Sequence, residues 1–294
     1  MIKGVFVSTL VSLFVLTGIA RAEGPTEWIP PLDVAKKDKG EMAFDGCRPK
    51  PERIDPVMCV YGDPSSDKTI VLFGDSHAME WGPPLIRLAE RRGWRLVTFL
   101  RAGCVIADVR LQPNCDQWRE LAFQEIADQR PNRIIVSTSI GRRYTLSLRG
   151  QTLSRTGSEK ILRRGMARTL KRLASIRSLT PHGIKVKLIR DQITAPFLPP
   201  KCLADHPDHP RLCRFPRKRK FGPGFDVVGA SKAGLLPAID PLEALCGPHW
   251  CYSSRGNIVI YRDSDHLTAT FTRTLTDWLG ERIGFCCIPA VSGK

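Results

Sequence analysis

Thr69-Ile-Val-Leu-Phe73, followed at once by Gly74-Asp75-Ser76-His77, is the stretch from which the rest of the chain can be read. Five residues that are β-branched or apolar throughout, with no polar alternation, describe a strand covered on both faces, which is the habit of parallel sheets. Gly74 lets the chain turn sharply where that strand ends, and a helical pattern resumes a few residues on. Ser76 is therefore expected at a helix N-terminus beyond the carboxyl edge of the sheet, the place where open α/β sheets bind ligands.

Further strands are expected at 94–100, 133–139 and 184–190, with a short fifth at 238–240. Helical patterns occupy 85–92, 115–129, 158–178 and 225–235. A closing helix over 268–283 is begun by a capping threonine, Thr268. Trp118, Ala122 and Ile126 fall four apart, on one helical face, and read as core. Leu162, Met166, Leu170 and Leu173 form a second stripe, while Arg163, Arg164, Arg168, Lys171 and Arg172 spread over the remaining surface as a solvated basic face. This alternation implies an α/β, three-layer fold with a doubly wound, mainly parallel sheet of about five strands.

Nearly two hundred residues after Ser76 comes Tyr261-Arg-Asp263-Ser-Asp265-His266-Leu-Thr268, behind another short apolar strand at 257–261. A serine at one strand end, with an acid and a histidine spaced D-x-x-H at another, are the parts of a nucleophile, an orienting acid and a general base. Histidine has a pKa suited to taking the serine proton. Asp263 is preferred as the orienting acid. Asp265 is its rival, but adjacency to His266 lets it bond backbone more easily than the ring. His77 is expected to point away along the helix, with no part in proton transfer. The nucleophile elbow G-x-S-x-G is absent around Ser76.

Together the two blocks resemble the SGNH hydrolase superfamily: Gly74-Asp75-Ser76 matches its first block and Asp263-x-x-His266 its last. The resemblance is greatest to the SGNH domains attached to acyltransferase-3 membrane proteins that O-acylate bacterial surface polysaccharides. There the serine is followed by His and the last block reads D-x-D/N-H-L. Residues from about 60 to 284 are covered. The resemblance implies an SGNH/flavodoxin-like fold and catalytic roles for Ser76, Asp263 and His266. It implies oxyanion donors in the backbone N–H groups of Ser76 and Gly103, the latter standing in Arg101-Ala-Gly103-Cys104 where the family has its second block. The family's G-x-N-D block has no counterpart, since that place reads Thr138-Ser-Ile-Gly-Arg-Arg-Tyr144. Arg142 and Arg143 are the candidate substrate-binding residues in its stead.

The resemblance further implies an exported serine esterase or O-acyltransferase, acting on small acyl groups, chiefly acetyl, of a bacterial cell-surface glycan. Neither cofactor nor metal is implied. A transferase would take its acyl donor from a partner such as an acyltransferase-3 membrane protein. The alternative is a non-catalytic module of the same fold that holds an acidic glycan or lipid surface through its basic face.

Residues 1–22 carry Lys3, an apolar run from Val5 to Leu16 and a terminal Ala20-Arg21-Ala22, which reads as a cleaved signal peptide, the run being too short to span a membrane. Residues 23–66 read as an irregular extension rich in Pro, Gly and charge, 67–285 as the SGNH domain and 286–294 as a tail. Ten cysteines in an exported chain point to disulfides. Their spacing supports Cys47–Cys59, Cys104–Cys115, Cys202–Cys213 and Cys246–Cys251, leaving Cys286 and Cys287 over. Cys202, His206, His209 and Cys213 also have the types and spacing of a zinc site, which an oxidising compartment disfavours. The formal charge of +16 becomes +14 once Lys3 and Arg21 leave with the signal. Such a surface favours polyanions. Nucleic acid is not expected as the partner of an exported chain without a binding motif, and the loop holding Arg217 to Lys220 is the candidate contact for an anionic glycan or lipid surface.

Overall fold

Strand β2 (Thr69–Gly74) lies in the middle of a five-stranded sheet, and all six of its residues are buried. The structure, a computed structural model, describes residues 25, 27–50, 52–141, 144–148, 150–176, 184–217 and 223–285. On one side of β2 runs β3 (Arg95–Leu100) and on the other β4 (Arg133–Ser137), both parallel to it. Beyond β4 comes β5 (Lys185–Leu188), also parallel, and beyond β3 comes the edge strand β1 (Met58–Gly62), antiparallel. The order is thus β1-β3-β2-β4-β5. The chain reverses its direction of winding at β2, and a crevice opens beyond the carboxyl end of such a strand.

The period-two side-chain pattern of β2 divides its residues between two cores. Ile70 and Leu72 pack on one face with Leu85, Leu88, Phe271 and Leu279 from α2 (Gly82–Arg92), α6 (Ala269–Thr274) and α7 (Thr276–Ile283). Val71 and Phe73 pack on the other with Trp118 and Ile126 of α3 (Pro113–Asp128), Leu162 and Leu170 of α4 (Arg155–Ala174), and Phe225 of α5 (Phe225–Ala233). Each of those four β2 side chains is fully covered, which contributes about 1.5–3 kcal/mol apiece. The fold is therefore a mostly parallel five-stranded sheet with helices on both sides, as expected, and both apolar stripes of the sequence lie in the core.

Three elements differ from expectation. Residues 238–240 supply only one parallel bridge, Ile189 with Ile239, because Pro237 and Pro241 bracket them and can donate no ladder hydrogen bonds. The fifth strand is instead β1, from the stretch expected to be irregular. Its pattern is half exposed, as an edge allows, and Cys59 within it is bonded to Cys47. The closing helix is broken at Leu275, which ends α6 and begins α7. Thr272, Thr274 and Thr276 turn their hydroxyls back onto the carbonyls of Ala269, Phe271 and Arg273, a local competition that disturbs a helix.

All four expected disulfides are present: Cys47–Cys59, Cys104–Cys115, Cys202–Cys213 and Cys246–Cys251. The third removes both thiolates from the zinc alternative. The signal segment, Cys286 and Cys287, and Lys218 to Lys220 lie outside the described residues. The basic surface of α4 is partly neutralised: Arg163 pairs with Glu159, Arg168 with Asp108 and Arg172 with Glu120. Among the described residues, no helix is long and apolar enough to cross a membrane.

Candidate active site

The Ser76 end of the candidate site grows directly out of β2. Gly74 is still in register with Ser137 of β4, and a Cβ at Gly74 would come within 2.1 Å of the Ser137 carbonyl oxygen and 2.4 Å of the Ala78 methyl. Glycine is required there because strand and helix approach too closely for any side chain. Asp75 follows as the N-cap of the one-turn helix α1 (Ser76–Met79), accepting the His77 N–H at 2.9 Å. Its other oxygen accepts from the Thr138 hydroxyl at 2.7 Å and the Ser139 N–H at 2.9 Å. Burial pushes the Asp75 carboxyl above its usual range, with His77 and these hydrogen bonds pulling the other way. The turn bearing Ser76 is thereby fastened to the chain leaving β4.

The His266 end sits on a loop outside the main sheet. Ile258–Val259 pairs antiparallel with Ser254–Arg255, and the chain then closes a small loop in which Tyr261 bridges Leu267 and the Arg262 N–H donates to the His266 carbonyl at 3.0 Å. Asp263 Oδ1 accepts the backbone N–H groups of Asp265 at 3.1 Å and His266 at 2.8 Å. The D-x-x-H spacing is what lets one carboxylate bond both the backbone and the ring of the same histidine.

The two ends meet. His266 Nε2 lies 2.9 Å from Ser76 Oγ, and His266 Nδ1 lies 3.0 and 3.1 Å from the two Asp263 oxygens. Asp265 also reaches the ring, its Oδ1 lying 3.2 Å from the same Nδ1. Burial opposes the charge on His266, yet the hydrogen bonds to Asp263 and Asp265 and the nearby Glu80 push its pKa up to about 9. Burial likewise opposes ionisation of Asp263, but the His266 bond and charge and the Arg262 guanidinium hold its carboxyl well below the usual carboxylate range.

Gly103 occupies the turn after β3 with φ at 76°, a left-handed conformation that favours glycine. That turn adjoins the nucleophile turn, since the Arg101 N–H donates to the Gly74 carbonyl at 3.0 Å, and the Cys104–Cys115 bridge pins it. At the place of the missing Asn, the Ser139 N–H is committed to Asp75 and the Ile140 N–H to Asp191 at 2.8 Å. Arg142 and Arg143 lie outside the described residues.

His77 does not point away. It is buried, its ring stands 4.6 Å from that of His266 at a 47° tilt, and its Nδ1 is 2.6 Å from Asp191 Oδ1. Burial works against its charge, but Asp191, Glu80 and Asp75 outweigh that and raise its pKa to about 10. A charged side chain turns inward here because three carboxylates await it. Glu80, at the end of the Ser76 turn, and the neighbours Asp191 and Gln192, just after β5, are all buried and complete this layer; they carried no signal in the sequence, since no motif links the two segments. His77, Asp265 and His266 each offer a metal-ligating atom within 4.8 Å of one another. Those side chains are the ones already bonded to Asp191, His266, and Ser76 with Asp263 respectively.

A family model described as "SGNH domain (fused to AT3 domains)" matches residues 46–279. Among solved structures, the periplasmic domain of a lipopolysaccharide acetyltransferase from Salmonella ser. Paratyphi A is similar at a TM-score of 0.56, with 16% identity over 74% of this chain and 84% of that one. No match was found among curated protein sequences.

Proposed function

The chain belongs to the family of SGNH domains found fused to AT3 domains, and on that basis we propose that it is an exported serine esterase or O-acyltransferase. Its substrates are small acyl esters, chiefly acetyl, of a bacterial cell-surface glycan, handled through an acyl-Ser76 intermediate. The carrying observation is the contact of Ser76 Oγ with His266 Nε2 at 2.9 Å while Asp263 holds the other ring nitrogen.

In this reading His266 Nε2 takes the Ser76 proton as Oγ attacks the acyl carbonyl, and the carbonyl π electrons move onto oxygen. The backbone N–H groups of Ser76 and Gly103 receive that oxyanion. Asp263, with Asp265 beside it, orients the imidazole and steadies the imidazolium that forms. Collapse of the intermediate expels the alkoxide, which takes the proton back from His266 and leaves the acyl group on Ser76. Water or a sugar hydroxyl, deprotonated by His266, then accepts the acyl group.

The acetyl group and the surface glycan are carried over from the Salmonella lipopolysaccharide acetyltransferase domain. Four disulfides support an oxidising compartment such as the periplasm. A transferase would draw its acyl group from an acyltransferase-3 membrane protein. The test is covalent. A serine-directed phosphonate, or a chromogenic acetyl ester, should add its mass to the protein at Ser76, and Ser76→Ala should abolish the adduct. Deacylation by water alone marks an esterase, and acyl appearing on an added sugar marks a transferase. A folded protein that acquires no mass would instead favour the module that binds acidic glycan or lipid surface without chemistry.

A further inference from the structure

Four residues beyond Ser76, at the C-terminal end of the same one-turn helix, stands Glu80, a carboxylate that no step of the proposed reaction uses. It is 4% exposed. One oxygen, Oε2, accepts the backbone N–H of Leu267, the residue directly after the base. The other, Oε1, accepts from Gln192 Nε2 at 2.7 Å, and the same amide nitrogen donates its second hydrogen to the backbone carbonyl of Asp265, the residue directly before the base. Gln192 is 2% exposed and follows β5. Its Nε2 also lies 3.2 Å from His77 Nδ1, but that nitrogen gives its hydrogen to Asp191 at 2.6 Å, so two donors face each other and no bond forms. The two amide hydrogens are thus assigned to Glu80 and Asp265, while Gln192 Oε1 has no partner among the described residues.

We infer that Glu80, with Gln192, is a positioning clamp: a side chain rooted in the nucleophile's own helical turn grips the backbone on both sides of His266 and so sets the separation of Ser76 from its base. The need for such a clamp arises from the fold. Ser76 is placed by the sheet, whereas the His266 loop has no ladder to the sheet and is 190 residues away in sequence. Asp263 organises the loop internally but cannot fix where the loop lies relative to Ser76. The chain after β5 holds the loop by one backbone bond, from the Ala195 N–H to the Ser264 carbonyl at 2.7 Å, and Glu80 adds a bond that starts from the nucleophile's own turn. Burial pushes the Glu80 carboxyl up to about 7, against the opposing pull of the charge on His77, whose Nδ1 lies 3.6 Å from Oε1, and of the Leu267 N–H; both of its oxygens face N–H donors. Misplacing a reacting group by about 1 Å can cost about 100-fold in rate.

The clamp rests on the catalytic role proposed for Ser76 and His266, and the experiment separates the two. Glu80→Ala and Glu80→Gln are compared with wild type for loading of Ser76 by a chromogenic acetyl ester, alongside hydrogen exchange of the Leu267 amide and melting temperature. The expected result for Glu80→Ala is a maximal loading rate about 10- to 100-fold lower with KM little changed, and faster exchange at Leu267. Glu80→Gln, which keeps an acceptor for Leu267, should recover part of the rate and the protection. Gln192→Ala, which frees Asp265 and takes the donor from Glu80 Oε1 but keeps the bond to Leu267, should fall between wild type and Glu80→Ala. Wild-type loading in folded Glu80→Ala overturns the clamp, as does a loss that vanishes when the rate is expressed per folded molecule. If Glu80→Ala does not fold, Glu80→Gln carries the test, and unchanged exchange at Leu267 with a rate loss in that variant overturns it. If wild type itself does not load, the catalytic reading fails, and unaltered Leu267 exchange in the Glu80 variants then overturns the clamp as well.

Discussion

Ser76 stands two residues past a strand whose backbone is hydrogen-bonded on both sides, while His266 stands in a loop that meets the rest of the site mainly through side chains, with a single backbone bond from the Ala195 N–H to the Ser264 carbonyl. On the nucleophile side, register decides geometry: Gly74 is paired with Leu100 and Ser137, and Asp75 ties the turn to Ser139. On the base side, carboxylates decide it: Asp263 shapes the loop, Glu80 docks it, and Asp265 shares the ring. A backbone ladder is cooperative and tolerant of single side-chain changes. A side-chain tether is local and can be cut by one substitution without unfolding the sheet. Stability effects are therefore expected to concentrate on the first half and rate effects on the second.

The sharpest test of that contrast is His266→Ala. It should slow loading of Ser76 by roughly 10⁴-fold or more while leaving the melting temperature, read above about pH 9 where the charge of His266 no longer stabilises, close to wild type. Asp263→Asn should lose roughly 10²- to 10⁴-fold, and Asp265→Asn less, because Asp263 retains both the ring and the loop amides. Steady-state and single-turnover rates, with melting curves on the same samples, check all three. An equal collapse of stability in these variants would erase the distinction between the halves.

The pH dependence comes next in size. The base must be neutral to act, and burial notwithstanding, Asp263, Asp265 and Glu80 raise the His266 pKa to about 9. Loading should climb roughly tenfold per pH unit above neutrality and level off near that value. Asp265→Asn removes one of the raising partners and should move the limb to lower pH. Stability runs the opposite way. A histidine whose folded value exceeds its unfolded one stabilises fully below about pH 6.5, and that contribution is lost as pH rises through about 9. A loading profile that falls with pH over this range would contradict the assignment of His266 as base.

On the sheet side, Gly74→Ala drives a methyl into the Ser137 carbonyl and should destabilise by about 1–3 kcal/mol, read from the urea midpoint. Rates per folded molecule should change less than stability does. The smallest expected effect is Thr268→Ala. Its hydroxyl accepts the Phe271 N–H at 3.1 Å as the cap of α6, and removal should cost about 1 kcal/mol with little effect on loading. A large rate loss in Thr268→Ala would mean that α6 belongs to the base half.

Where the site could be read from sequence, it was read from local pattern. The run from Thr69 to Phe73 is apolar because it is buried on both faces, so its place at the centre of the sheet was legible in the residues alone. Ser76 after it, and Asp263 three residues before His266, are spacings that act within one turn or one loop. The four short-range disulfides were legible for the same reason, each closing a separation of 12 residues or fewer. The edge strand Met58–Gly62 was not, since its residues alternate between exposed and half-buried and its neighbour β3 is more than thirty residues away.

The buried layer of His77, Glu80, Asp191 and Gln192 was decided by tertiary structure alone. Those residues are polar, and in a sequence polar residues read as solvent-facing. Only packing brings Asp191 to 2.6 Å from His77 and Gln192 to 2.7 Å from Glu80, across more than a hundred residues in each case. His77 and Glu80 are a local pair, with 3.6 Å between Nδ1 and Oε1, but the closer partners that keep these groups inside, Asp191 and Gln192, come from a distant segment that no local window contains.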